Sequence, residues 1–494
     1  MTPLSQERGE LIATLFALQQ AFEALIVRGL ESSSVDDTRR LAALGDELAR
    51  AGAAYLAAQV AALVHAVRER ASAAARSLLR AQTAMRVLER VLSLDAAAEA
   101  LAAALPPATA PPLNPPASAS PSPPAPPAID AALVPVLEEL AGLVEGLVGS
   151  GLTAATAATQ QKLEASFREA SRLKLLRLAA VLRYVGDECG RFLSDSPQFS
   201  PRRLAFFLNR TWLLCRGLIR ALSPADPAAL ARLLLQAAPR PVAALTVVVL
   251  GVQKRALLDG AAAFEFRMQV LSGAGVPRGT RLVWSCVFGA RKNVPAEAFL
   301  HLPQPQKFAP KILLEPTRIA VTDAAVTLDD HGGGRLQLGP RSTVVPGPAF
   351  DDWANLQAWD PAGALRRIRG HAISPLDLEV ELQDDLVVTD YAIGPATDHP
   401  FRSEHQVVAM RAGALELDAV ISRGPDGSEL AAALDQLRAP TADRPPLYGV
   451  VHYEMARLVF QPLTAFGADG PRHLMISSAH IDLASLMKTL DFTT

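Results

Sequence analysis

A short run of metal-ligand-type side chains in the C-terminal half is the first place to look for chemistry. Asp398-His399 is followed by Glu404-His405, so two imidazoles and two carboxylates lie close together in the chain. Such groups bind divalent cations when a loop brings them together. Their spacing matches no recurrent metal motif, and the alternative interpretation is a charged loop between two strands. We therefore predict no metal and no other cofactor, and keep Asp398, His399, Glu404 and His405 as the candidates should a metal be bound.

The cysteines do not suggest a metal or redox site. They are three in number, lie far apart and form no CxxC pair, which is typical of a reducing compartment. The first ten residues carry acidic and basic side chains where a signal peptide needs an apolar core. The longest apolar runs fall short of the roughly 20 residues that cross a bilayer. These features predict a cytoplasmic protein without a membrane partner.

A set of arginines recurs in the N-terminal half. Residues 78–93 match residues 208–223 at an offset of 130, and Arg80, Arg86 and Arg90 recur as Arg210, Arg216 and Arg220. At 100° per residue the leucines of each block fall on one helix face and the arginines on the opposite face. We therefore predict an outward binding surface formed by Arg86, Arg90, Arg216 and Arg220. The alternative is pairing of these arginines with carboxylates of a neighbouring helix.

The whole N-terminal half repeats in this way. Gly29-Leu30 matches Gly151-Leu152 at an offset of 122, and the later change to 130 equals the length of a turn-rich insert at 194–201. This predicts two related helical modules, at 1–105 and 129–238. Between them, residues 106–128 contain 11 prolines in 23 positions, a composition typical of an extended linker.

From about residue 239 the hydrophobic period changes from that of helices to that of strands. Short β-branched or alternating runs predict strands within 243–252, 264–271, 280–288, 318–328, 376–382, 385–393, 406–410, 414–422, 447–461 and 473–482. Helices are predicted within 351–368 and 429–438. The fold class is therefore multidomain α + β, with β-rich domains at 239–365 and 366–494 built as small barrels or sandwiches.

Composition limits the classes of partner. The formal charge of −2 gives the whole molecule no field that would attract nucleic acid or an anionic membrane, so such binding requires a local patch. The order of modules resembles that of bacterial proteins encoded near MoxR-type AAA+ ATPases. That resemblance rests on layout alone, with no residue pattern, and implies an AAA+ ATPase system among the candidate partners.

Three functions follow from these features. We expect a non-catalytic cytoplasmic interaction or scaffold protein that binds other proteins in a multiprotein assembly, because helical modules commonly bury one face and offer another to a partner. The alternative is a nucleic-acid-associated factor that uses the arginine rows and an OB-like β domain. The third is an enzyme with a site in the β-rich half.

Overall fold

The chain forms two compact units. The computed structural model describes residues 3–105, 133–223, 226–234, 239–257, 261–289, 294–328, 333–353, 361–376, 382–439, 444–454, 457–468 and 470–476. The predicted linker at 106–128 lies outside these residues. One unit, which we call the helical unit, comprises Met1–Ser93, Asn114–Gln236 and Ala372–Asp377. The other, the β unit, comprises Leu94–Leu113, Ala237–His371 and Leu378–Thr494.

Nine described helices precede the first strand. They are α1 (Pro3–Arg28), α2 (Val35–Arg50), α3 (Ala54–Arg68), α4 (Ala74–Ala104), α5 (Val134–Ser150), α6 (Ala157–Arg172), α7 (Leu176–Leu193), α8 (Pro201–Leu222) and α9 (Pro227–Leu234). Their leucine, valine and alanine side chains form the core of the helical unit. Only α4 is divided between units, because its residues from Leu94 onward belong to the β unit.

The two helical runs have matching elements. Helix α6 begins and ends 122 positions after α2, and a short 3-10 turn precedes each at the same offset. Gly29 and Gly151, which begin these turns, have φ angles of 89° and 79°. They also meet each other, since a Cβ on Gly29 would lie 2.3 Å from the carbonyl oxygen of Ser150. Both positions therefore require glycine.

Helices α4 and α8 also correspond, and they contact each other at matching positions. The Asn209 side-chain amide donates to the Leu79 carbonyl at 2.8 Å, and these two residues are equivalent at the offset of 130. Nearby, the Gln82 amide donates to the Ala205 carbonyl at 3.1 Å. Helices α4 and α8 thus pack against each other within the helical unit.

The first half of the β unit is a closed five-stranded barrel. Its strands are β1 (Arg240–Ala256), β2 (Ala262–Gly273), β3 (Arg281–Phe288), β4 (Thr317–Leu328) and β5 (Gly333–Ala349). They are ordered β1-β2-β3-β5-β4, with β4 closing on β1 and a parallel pair between β3 and β5. This is the strand order of an OB barrel. Bulges in β1 near Val247 and Gly251 provide the curvature that lets one strand pair with both β2 and β4.

The second half of the β unit is a mixed sheet. It contains β6 (Gln383–Val388), β7 (Tyr391–Asp398), β8 (His405–Ala412), β9 (Leu415–Ser422), β10 (Leu447–Glu454), β11 (Arg457–Gly467) and β12 (Gly470–His473). The order is β6-β10-β11-β9-β8-β7, and β12 pairs with β11. Two helices, α10 (Pro361–Gly370) and α11 (Pro425–Arg438), pack in the core of this sheet together with the end of α4.

Barrel and sheet share a smaller apolar core. Val248 and Leu250 of β1 pack with Tyr448 and Leu463 of the sheet. Gly251 makes this approach possible, because a Cβ there would lie 2.8 Å from the Tyr448 ring. The barrel and the sheet thus have their own apolar cores and meet through this smaller shared one.

Candidate interaction site

An open groove in the helical unit is the candidate interaction site. It has a volume of about 390 Å³ and is lined by α3, α4 and α8, through Tyr55, Gln59, Arg80, Thr83, Ala84, Val87 and Trp212. We call it the α3/α4 groove. The lining combines an aromatic ring, aliphatic groups and an arginine. Such mixed lining suits a protein partner, since aromatic residues and arginine are enriched at protein interfaces.

The floor of the groove is held by hydrogen bonds. The Trp212 indole Nε1 donates to Glu145 Oε1 at 2.8 Å. The Thr83 hydroxyl donates to the Leu79 carbonyl at 2.7 Å and accepts from the Asn209 amide at 3.1 Å. Trp212 and Ala84 are buried, at 6% and 7% exposure. A binding segment would therefore meet an ordered floor that needs little reorganisation.

Glu145 on α5 accepts hydrogen bonds from the residues that form and support this floor. It accepts from Arg76 at 3.1 Å and from Arg216 at 2.7 Å, in addition to Trp212. Burial of the carboxyl raises its pKa, but the hydrogen bonds from Arg76, Arg216 and Trp212 outweigh that effect and lower the pKa to about 2. Glu145 is therefore ionised at neutral pH and ties α4, α5 and α8 together.

The rim of the groove is exposed. The Tyr55 side chain on α3 is 73% exposed, although tyrosine rings are more often partly covered. Arg80 on α4 is exposed as well. Its equivalent in the second module, Arg210, is 7% exposed and donates to the Leu376 carbonyl. The same arginine position thus serves packing in one module and faces solvent in the other.

The four predicted surface arginines do not form one surface. Arg220 is exposed, whereas Arg216 lies against Glu145. Arg86 stacks over the Phe206 ring, with 4.5 Å from its guanidinium carbon to the ring centre. The prediction that Arg90 faces outward is wrong, since it is 7% exposed. The leucines on one face of α4 predict that this face is buried, but they do not predict whether another helix packs on the opposite face.

The candidate metal-ligating residues lie in and beside the connection from β7 to β8. Asp398 pairs with Arg423 and points to solvent, with 87% of its side chain exposed. His399 is buried, its ring centre lies 6.3 Å from that of His405, and its Nδ1 accepts from the Phe401 amide. Burial, together with nearby arginines, lowers the His399 pKa to about 4. The Glu404 Oε1 atom lies 3.4 Å from Nδ1 of the adjacent His405.

This arrangement differs from a metal site. Across the described residues, no group of three or more His, Cys, Asp or Glu side chains is placed to hold a metal ion. The geometry is that of a charged strand connection, in which Asp398 and Glu404 have separate neighbours.

The outer face of the barrel strands β2 and β3 is partly covered by the sheet. Arg267 on β2 and Arg281 on β3 lie 3.6 Å and 3.5 Å from the Asp385 carboxylate on β6. The Tyr448 hydroxyl donates to the same carboxylate at 2.7 Å. In OB barrels this face commonly binds oligonucleotides. Here two of its arginines are paired with an acidic residue of the same unit.

The groove was not found by sequence reasoning. Tyr55 and Gln59 lie one turn apart on α3, and Trp212 lies on α8 more than 150 positions later, so no local signal connects α3 to Trp212. A usable signal was the mismatch between the modules: Val87 in the first module is replaced by Gly217 in the second.

The remaining sequence features occupy structural positions. All three cysteines are free and buried, and Cys215 lies in the core of the helical unit. One described segment, Glu7–Arg28, is long and apolar enough to cross a membrane. Its Leu15, Leu18 and Phe22 side chains are buried, so in this fold the segment acts as a core helix. No protein-family model matches the chain, and no curated protein matches it.

Proposed function

We propose that this protein is a non-catalytic, cytoplasmic interaction protein that works within a multiprotein assembly, with the helical unit as its binding element. The α3/α4 groove supports this proposal, because it places exposed Tyr55 and Arg80 above an ordered, buried floor. Aromatic residues and arginine at an interface commonly supply much of its binding energy.

Site-specific cross-linking tests the proposal. A photoreactive phenylalanine analogue at position 55 is expected to cross-link one protein reproducibly in the host cell. The same analogue at Ala61, an exposed position about 120° around α3 from Tyr55, is the matched control. Arg80→Glu should reduce the cross-linked product while the helical circular dichroism stays unchanged. Equal products from positions 55 and 61, or none from position 55, would exclude the groove as the binding element.

A second candidate function is nucleic-acid binding by the barrel, which its OB strand order favours. The pairing of Arg267 and Arg281 with Asp385 argues against free access to β2 and β3. Anisotropy of a labelled single-stranded oligonucleotide tests this candidate. Binding that weakens steeply with added salt would support it, since phosphate contacts release counterions.

A further inference from the structure

We propose that the α3/α4 groove receives a short, leucine-rich amphipathic helix of a partner protein, with a carboxylate placed opposite Arg80. This inference rests on the proposed function and names the kind of partner. The argument comes from the second module, where a helix of the chain itself packs at the corresponding place.

In the second module, helix α9 packs on α8. The Leu233 side chain lies over Gly217, so that a Cβ on this glycine would be only 3.2 Å from it. Leu230, one turn earlier, is 9% exposed. Leucines at i and i+3 thus cover the surface of α8. At the offset of 130, Gly217 corresponds to Val87, which lines the α3/α4 groove.

The first module cannot fill its groove in the same way. Helix α8 ends at Leu222, and the chain begins again as α9 at Pro227. The residue equivalent to Pro227 is Ala97, which lies inside the continuous helix α4. Ala97 is buried in the core of the β unit together with Leu101. The segment that would correspond to α9 is therefore used elsewhere, and among the described residues no other helix takes its place in the groove.

The lining of the groove indicates the chemistry of the missing helix. On α8 the small residue beneath α9 is Gly217, but its equivalent on α4 is the larger Val87. The small residue on α4 is Ala84, about one turn before Val87. A bound helix would therefore lie about one turn nearer the start of α4 than α9 lies on α8. Ala84 and Trp212 offer an apolar floor for leucine side chains. Arg80 is exposed at the rim, where a carboxylate of the partner would pair with it. This is a helix-in-groove mode of recognition.

The probe is a fluorescent peptide with the sequence of residues 226–234 and the change Arg232→Glu, Asp-Pro-Ala-Ala-Leu-Ala-Glu-Leu-Leu. Anisotropy with the full-length protein should show saturable binding. Ala84→Trp fills the floor and should weaken binding at least tenfold, whereas Ala61→Trp, on the far side of α3, should leave it unchanged. A scrambled peptide of the same composition should not bind.

A charge exchange provides a second test that does not depend on changing the floor. Arg80→Glu, at an exposed position, should weaken binding of the acidic peptide and favour the unaltered Arg232 peptide. Two results would refute a leucine-rich helix as the occupant. The first is that neither peptide shows saturable binding, and the second is that the affinity stays the same after Ala84→Trp and Arg80→Glu. The proposed function would still stand if cross-linking from position 55 succeeded.

Helix α9 of a second copy is another occupant to be tested. Light scattering of the full chain distinguishes this case. A dimer that Ala84→Trp converts to a monomer would overturn the assignment to a partner protein, whereas a monomer that binds the acidic peptide supports it.

Discussion

Replacing Glu145 by glutamine should destabilise the helical unit measurably. Glutamine keeps the size of the side chain but removes the charge that Arg76 and Arg216 share. Each unit of pKa corresponds to about 1.4 kcal/mol, so the interval from 4.5 to about 2 sets an upper bound of about 3.4 kcal/mol. The two arginines are 43% and 33% exposed, and solvent screening reduces this bound. We expect a loss of about 1–2 kcal/mol in the free energy of unfolding.

Urea unfolding followed by circular dichroism at 222 nm measures this loss, which should appear as a lower midpoint at an unchanged slope. Glu138→Gln, at an exposed position of the same helix, is the control and should leave the midpoint unchanged. The pKa of Glu145 is lower in the folded protein than in the unfolded chain. Its contribution is therefore complete above pH 4.5 and is lost as the pH falls toward 2. Equal midpoints for wild type and Glu145→Gln at pH 7 would refute the reasoning.

Three further predictions concern backbone, protonation and thiols. Gly29→Ala should lower the free energy of unfolding by more than about 1 kcal/mol, because the new Cβ would collide with backbone atoms. Gly9→Ala, at a helical position with open space around it, is the control and should be neutral or stabilising. Thermal melting measures both. Burial lowers the pKa of His452 and His473 to about 4, so the unfolded chain binds more protons between pH 6.5 and 4. As the pH falls from 6.5 to 4, the free energy of unfolding should therefore decrease, by up to about 1.4 kcal/mol per pH unit for each histidine. A urea midpoint that stays constant between pH 7 and 5 would contradict this. Burial also raises the pKa of the Cys189, Cys215 and Cys286 thiols to about 12. A disulfide reagent should therefore label these thiols rapidly only after unfolding in urea. Rapid labelling of the native protein would contradict their burial.

Strands with a regular apolar pattern could be predicted from the sequence, whereas one long strand showed such a pattern only near its start, in the alternating run 336–338 that follows a predicted hairpin turn. The runs at 243–252, 264–271 and 280–288 became β1, β2 and β3. Strand β5 contains Gly339, Pro340, Pro346 and Gly347, and its pattern resembles a series of turns. It forms because the barrel needs a strand between β3 and β4, which is a requirement of tertiary structure.

The predicted strand at 385–393 also needed correction. It is divided between β6 and β7, which lie at opposite edges of the sheet. Alternation identified extended chain there but not the break at Thr389-Asp390. Of the predicted strand at 473–482, only His473 lies in a strand, at the end of β12, and residues 474–476 do not; residues 477–482 lie outside the described part of the chain.

The candidate site depended on information that periodicity does not carry. The matching blocks predicted two related helical modules and placed their leucines on one helix face. They did not show that Arg90 would be buried or that Trp212 of one module would line a groove of the other. Such facts depend on which faces of the helices meet, and similar leucine stripes are compatible with several arrangements.

The division of helix α4 has a consequence for how the polypeptide reaches its native state. Leu94, Ala97 and Leu101 complete the core beneath the sheet, yet they leave the ribosome long before strands β6 to β12 exist. Until those strands arrive, the apolar side chains at the end of α4 lack their native partners. Contacts of such long sequence separation slow folding and leave apolar surface exposed in the meantime. Conversely, a fragment that began at β1 would lack three residues of its own core and should be more prone to aggregate than the intact chain.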